Sequence, residues 1–132
     1  MVIVYAYRKI ICALLISMSL LMLLGCSSEH KYVELVKNGT MQMEPDIKIG
    51  RAFDEFFANP QWKYFDSTDN HKVVEFNGEC TWWGQDAHCS IQFIITSETT
   101  FELWIVKIND QEMNKLESAA LLHKALTNRD DW

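Results

Sequence analysis

The sequence predicts an α+β fold, a three- to four-stranded antiparallel sheet with an N-terminal and a C-terminal helix packed on one face. Three observations predict it. Apolar residues recur at helical spacing around Phe53, strict two-residue alternation flanks Gly84, and a second helical stripe follows Asn109. All three fall within residues 46–132, which read as a single domain.

The first helix is expected over residues 47–58. Ile49, Ala52, Phe53, Phe56 and Phe57 take one side, and Arg51, Asp54 and Glu55 the other. Asp46 serves as its N-cap, and Asn59-Pro60 ends it, because a residue before proline disfavours α geometry. Trp62, Tyr64 and Phe65 then predict a strand, closed by the polar turn Asp66-Ser67-Thr68-Asp69-Asn70.

A hairpin follows. With Gly84-Gln85 as a two-residue type II′ turn, Cys80 faces Cys89, Trp82 faces Ala87, Gly78 faces Ile91, Phe76 faces Phe93 and Val74 faces Ile95. These residues share one face of the sheet. Glu75, Asn77, Glu79, Thr81 and Trp83 take the other, across from Ile94, Gln92, Ser90, His88 and Asp86. A one-residue slip would reverse every side chain, so the cysteines and the apolar alternation support the same pairing.

Ser97-Glu98-Thr99-Thr100 turns the chain into a strand over Phe101–Ile108 that is apolar on both faces. Phe101, Leu103 and Ile105 lie on one side, and Trp104, Val106 and Ile108 on the other, which predicts burial on both faces or a role in an interface. Asn109 starts the last helix, with Glu112 as a capping-box partner and Met113, Leu116, Ala119, Ala120 and Leu126 as its stripe. The polar tail Asn128–Trp132 is expected to fray.

Residues 1–25 precede all of this as a secretory signal. Arg8 and Lys9 lead into an apolar run from Ile10 to Leu24, then Gly25, and no acidic residue occurs before Glu29. The run falls short of the roughly 20 residues that span a bilayer comfortably. Residues 26–45 read as a tether: they begin polar, contain Asn38-Gly39 and end at Pro45. Within them Tyr32–Val36 fits either a short strand or a helical turn, and Asn38-Gly39-Thr40, a glycosylation sequon by pattern, reads as a turn.

The stretch Leu23-Leu24-Gly25-Cys26 resembles the lipobox of bacterial lipoprotein precursors. That resemblance implies acylation of the Cys26 thiol, cleavage before it and a further acyl chain on the new N-terminus. Several acyl chains, at about 0.8 kcal/mol per buried methylene, anchor a protein to a bilayer where one chain holds it only weakly. Ser27, where retained lipoproteins commonly carry aspartate, implies the outer membrane in a host that has two. The domain itself is similar to small bacterial envelope domains without an assigned function. The similarity rests on Ile49-Gly50-Arg51-Ala52-Phe53-Asp54-Glu55-Phe56-Phe57, Asn59-Pro60-Gln61-Trp62-Lys63-Tyr64-Phe65 and Val73-Val74-Glu75-Phe76-Asn77-Gly78, and it implies no catalytic residue.

Loss of the signal removes two of the 12 Lys+Arg and none of the 18 Asp+Glu, moving the formal charge from −6 to about −8. So acidic a surface argues against nucleic acid and against adhesion to anionic headgroups. With Cys12 in the signal and Cys26 carrying lipid, Cys80 and Cys89 remain as the pair of an exported domain, and a disulfide is expected between them.

Other chemistry is thin. A zinc site from Cys80, His88 and Cys89 lacks a second close ligand pair, and the hairpin puts His88 on the opposite face. Asp54 and Glu55 are adjacent on a helix and diverge by about 100°, His71 and Ser67 lack a nucleophile elbow, His123 reads as a helix-surface residue, and no glycine-rich phosphate cradle occurs. No metal or cofactor is expected. Trp83, with Ile94 and Leu103, is the candidate protein-binding patch. The expected function is a non-enzymatic, lipid-anchored adaptor of the cell envelope that presents a sheet face to another envelope protein. The alternative is an inhibitor of a secreted enzyme or a surface-exclusion lipoprotein acting through the hairpin tip Trp82–Asp86.

Overall fold

Each strand of the sheet pairs with the next one in the chain, so short turns suffice to build it. The structure, a computed structural model, describes residues 27–128; the signal segment, Cys26 and residues 129–132 lie outside the described residues. The elements are α1 (Ser27–Lys37), α2 (Ile49–Phe56), β1 (Ala58–Asp66), β2 (Lys72–Trp82), β3 (Gln85–Ile95), β4 (Phe101–Ile108), β5 (Gln111–Glu112) and α3 (Lys115–Thr127). The five strands form one antiparallel sheet in the order β1-β2-β3-β4-β5. The α+β class and the helices at both ends agree with the sequence reading, but the sheet has five strands rather than three or four.

The extra strand comes from Asn109-Asp110. Both residues have positive φ (51° and 65°), so they make a tight turn that pairs Ile108 with Gln111. Asn and Asp tolerate this left-handed backbone where most residues do not. The last helix therefore starts later than expected, at Lys115. Its N-cap is Asn114, whose Oδ1 accepts the Glu117 N–H at 2.8 Å. The shift also moves the apolar stripe to Leu121, Leu122, Ala125 and Leu126, leaving Leu116 80% exposed.

The expected tether is largely a helix. Tyr32 and Val36, four residues apart, put one face of α1 into the core, with Val33 and Leu35 packed beside them. The Tyr32 ring stacks on Tyr64 at 5.4 Å, and its hydroxyl donates to Glu98 Oε1 and accepts from Lys72 Nζ, both at 3.0 Å. Lys31 pairs with the same Glu98 carboxylate. Asp46 does not cap α2; Lys48 occupies that position without a side-chain bond. The apolar face of α2 does bury as its spacing predicts, through Ile49, Ala52 and Phe53.

β4 explains its own double apolarity. Gln92 pairs with Ile105 and Phe93 with Leu103, so Trp104 is the extra residue of a bulge. The bulge resets the alternation: Leu103 and Val106 both lie on the side of Phe93 and Ile91, and Ile105 lies with Gln92 on the other. Apolar residues on both faces thus record a phase change within one strand. Among the described residues, all three helices and one face of the sheet contribute to a single buried cluster.

In β2, Gly78 faces that cluster, and a Cβ there would fall 2.7 Å from Phe57 Cβ and 2.8 Å from Phe76 Cζ. Gly78→Ala is therefore expected to overpack the core and cost about 1–3 kcal/mol. The measurement is a denaturant midpoint that falls at constant slope. An unchanged midpoint would mean that Phe57 is not seated over this glycine.

Candidate functional site

Among the described residues, the hairpin tip combines the largest aromatic exposure with an unfavourable backbone. Trp82 pairs with Gln85, and between them Trp83 and Gly84 have φ of 51° and 76°, the signature of a type I′ turn. Glycine suits the second position. Tryptophan does not suit the first, because a bulky side chain at positive φ carries strain. Trp83 is nonetheless 78% exposed there. Its ring meets Trp82 edge-on at 5.9 Å, and the two indoles border a hollow of about 310 Å³ with Thr81, Gly84 and Lys124 of the last turn of α3.

This turn corrects the expected hairpin. Trp83-Gly84, not Gly84-Gln85, forms it, and every pairing moves by two residues: Cys80 lies opposite Ala87, and Cys89 opposite Gly78. A two-residue change preserves both faces, so the alternation agrees equally well with either pairing. The cysteines are accordingly diagonal neighbours on the helix-covered face, where the sulfurs stand 2.9 Å apart as thiols. Cys89 is fully buried, whereas Cys80 is half-buried at the edge of a hollow shared with Phe56, Ala58 and Glu79. The hydrogen bond between them lowers the Cys80 thiol below its usual range and, with burial, raises that of Cys89.

The helix-free face carries a different arrangement. Glu75, only 9% exposed, sits at its centre. Asn77 Nδ2 donates to Glu75 Oε1 at 2.7 Å, Gln92 Nε2 to Oε2 at 2.5 Å, and Lys63 Nζ lies 3.1 Å from Oε1. His88 Nε2 meets Asn77 Oδ1 at 3.1 Å, which puts the imidazole on the face opposite the two cysteines, as expected. Burial alone would push the Glu75 carboxyl up, but the bonds from Asn77, Gln92 and Lys63 outweigh it and hold the carboxyl below its usual value.

The three residues expected to form one binding patch are not brought together. Trp83 is in the turn. Ile94 is on the helix-free face, paired with Val73 and Glu102. Leu103 is on the opposite face across from Phe93, where it borders a hollow of about 410 Å³ with Met41, Met43 and Phe101. The β4 bulge separates Leu103 from Ile94, and the turn type separates Trp83 from both. Trp104, expected on a buried or interface face but not within the patch, is 39% exposed with its ring edge-on to His71 at 5.9 Å. An aromatic as the odd residue of a strand whose alternation breaks was the available signal.

The acidic and histidine residues weighed from the sequence have structural partners. Asp54 accepts the Trp62 indole N–H at 3.0 Å, Glu55 pairs with Arg51, and His123 lies 3.8 Å from Glu44. The His71 backbone N–H donates to Ser67 Oγ at 3.1 Å, closing the β1–β2 turn. Among the described residues, no cluster of His, Cys, Asp and Glu has a metal-binding arrangement, and no helix is long and apolar enough to cross a membrane. Compared with known proteins, the chain matches no family model, no curated protein and no solved structure.

Two measurements follow from this geometry. A Glu75 carboxyl held low in the folded state binds its proton later than the unfolded chain does. It therefore stabilises the fold above the ordinary value of 4.5, and that contribution is lost as pH falls below 4.5 through the folded value. Glu75→Gln is expected to flatten this acid limb of the stability curve, and an unchanged limb would count against the network. The 2.9 Å sulfur separation allows oxidation, so thiol titration of protein produced in an oxidising compartment should find Cys80 and Cys89 unreactive until a reductant is added. Their joint replacement by serine should cost about 2–3 kcal/mol on the chain-entropy account of a disulfide. Two free thiols in the unreduced, unfolded protein would exclude the bond.

Proposed function

We propose that the chain is a non-enzymatic, lipid-anchored binding domain of the cell envelope that engages a protein partner through the Trp83 tip. Acyl chains on Cys26 would hold it at the membrane, the outer one where the host has two. Trp83 carries the reading: a bulky residue that costs strain at φ 51° also leaves 78% of its surface in solvent. Exposed aromatics on rigid supports are the usual anchors of protein interfaces. The sheet face first expected to make the contact is a weaker candidate, because its central polar side chains already bond to one another. The tip also suits the alternative of an enzyme inhibitor or surface-exclusion lipoprotein, since a pinned hairpin with a projecting side chain can enter a cleft. The identity of the captured partner separates these two.

Tethering raises the effective concentration of the domain for partners at the same membrane. The test is a photocrosslinker at position 85, beside the Trp83 turn, or at position 92 in intact cells. A defined partner should be captured from 85 and not from 92, and capture should fail with Cys26→Ser, which should also stay unlipidated and uncleaved. Trp83→Asn creates a turn pair that favours type I′. It relieves strain of about 1–3 kcal/mol and forfeits an edge-on ring contact of about 0.5–1.5 kcal/mol, so stability should hold or rise slightly while binding is lost. Undiminished binding by that variant would overturn the tip as the contact, and normal maturation of Cys26→Ser would overturn the anchor.

A further inference from the structure

We propose that the domain stands on end on the bilayer, with the β1–β2 and β3–β4 turns against the headgroups and the Trp83 tip pointing away. The inference rests on the lipid anchor proposed above. It starts from sequence adjacency: α1 includes Ser27, the residue that follows Cys26 in the chain. Consecutive Cα atoms are about 3.8 Å apart, so an anchor on Cys26 lies at the Ser27 end of a helix whose direction the core fixes, a constraint that a long flexible tether would not impose.

Two independent rows of contacts give the direction of α1. On one side, Lys31 meets Glu98 in the β3–β4 turn, and Gly39 abuts the Phe101 ring at the start of β4. On the other, Tyr32 stacks on Tyr64 near the end of β1, and Lys37 Nζ lies 5.9 Å from the Trp62 ring, two residues further in. Along both rows, moving from the C-terminal end of α1 towards Ser27 leads out of the sheet, towards its paired turns. The hairpin tip lies at the other end of β2. From Lys72 to Trp82, at about 3.3 Å per residue, it stands roughly 33 Å away.

The surface of the turn end fits a bilayer boundary. The half-exposed Trp104 reaches His71 in the β1–β2 turn, so an indole lies at this end. Tryptophan with an apolar body and a polar N–H favours the headgroup level. Charge does not drive the contact: Glu29, Asp66, Asp69 and Glu98 outnumber Lys31 and Lys72 there. Orientation follows from the anchor and helix, with the aromatic corner as a secondary contact.

The experiment uses the lipidated full chain in phosphatidylethanolamine–phosphatidylglycerol vesicles carrying a headgroup-linked energy acceptor. Donor fluorophores go on Thr68→Cys, Thr99→Cys or Gln85→Cys, in a Cys80→Ser/Cys89→Ser background. Transfer should be severalfold stronger from positions 68 and 99 than from 85. Equal transfer from all three, or stronger transfer from 85, overturns the orientation. Should the serine background fail to fold, hydrogen exchange on the unaltered lipidated chain reads the same geometry. Vesicles should slow exchange in the two turns, residues 67–71 and 96–100, and leave residues 82–86 unchanged, and the reverse pattern overturns the orientation. The mass of the purified chain reads the anchor separately: an unlipidated Cys26 refutes the anchor and the orientation together, whereas a lipidated chain with uniform transfer refutes the orientation alone.

Discussion

Phe53 is the contact on which the remaining arrangement depends. The helix that carries it, α2, has eight residues and no side-chain N-cap, so its own hydrogen bonds cannot sustain it in water. It persists because the Phe53 ring is fully buried against Phe76 at 5.0 Å, Trp62 at 5.9 Å and Phe93 at 6.4 Å, drawing three strands beneath one side chain. Truncating such a ring to alanine costs about 3–5 kcal/mol, the lost transfer energy and the cavity together. A domain of this size has only about 5–15 kcal/mol in total. With α2 seated, α1 is braced by Lys37 and Asp54 at 3.9 Å, and α3 packs against α2. The sheet face that α2 covers is thereby committed, which is why the opposite face can be polar.

How much of this could be read from the sequence depends on whether parity or distance was at stake. Faces were legible. The alternation of Val74, Phe76, Cys89, Ile91 and Phe93 assigned each to the core side, and all are buried there. The exact partner of each was not legible, because pairings that differ by two residues give identical faces. Only the turn separates them, and there the better local fit, Gly84 as the first turn residue, lost to a turn with tryptophan in that place. The cysteines tolerated the difference: diagonal positions on one face still bring their sulfurs into contact.

Elements outside strict periodicity were harder to read. In α1, four apolar residues within five positions fit neither a helix nor a strand template cleanly, and the polar sequence around them resembles a linker. Only tertiary contacts, Tyr32 on Tyr64 above all, decide for the helix. In β4 the bulge at Trp104 gave a pattern that mimics a strand buried on both faces. Asn109-Asp110 carried two opposing signals, a helix start and a tight turn, and the two-residue β5 is too short to announce itself. The candidate site suffered from the same causes. Trp83 was singled out correctly as an exposed aromatic, but its grouping with Ile94 and Leu103 required a register and a phase that the chain does not have.

The strain at Trp83 is sustainable because of what lies behind it. A type I′ turn matches the right-handed twist of the strands it joins, and ten antiparallel pairs from Trp82–Gln85 to Val73–Ile94 hold those strands in register. Against so long a ladder, an unfavourable φ at one residue shifts the balance by a small fraction of the whole. The hairpin can therefore hold a large apolar side chain in solvent without yielding, and a partner of the kind proposed would meet a backbone that is already ordered. Low ordering cost is the property that makes an aromatic a good anchor. The ladder and the Phe53 core beneath it thus bear on the proposed binding as well as on folding: they hold in place the backbone that presents the indole.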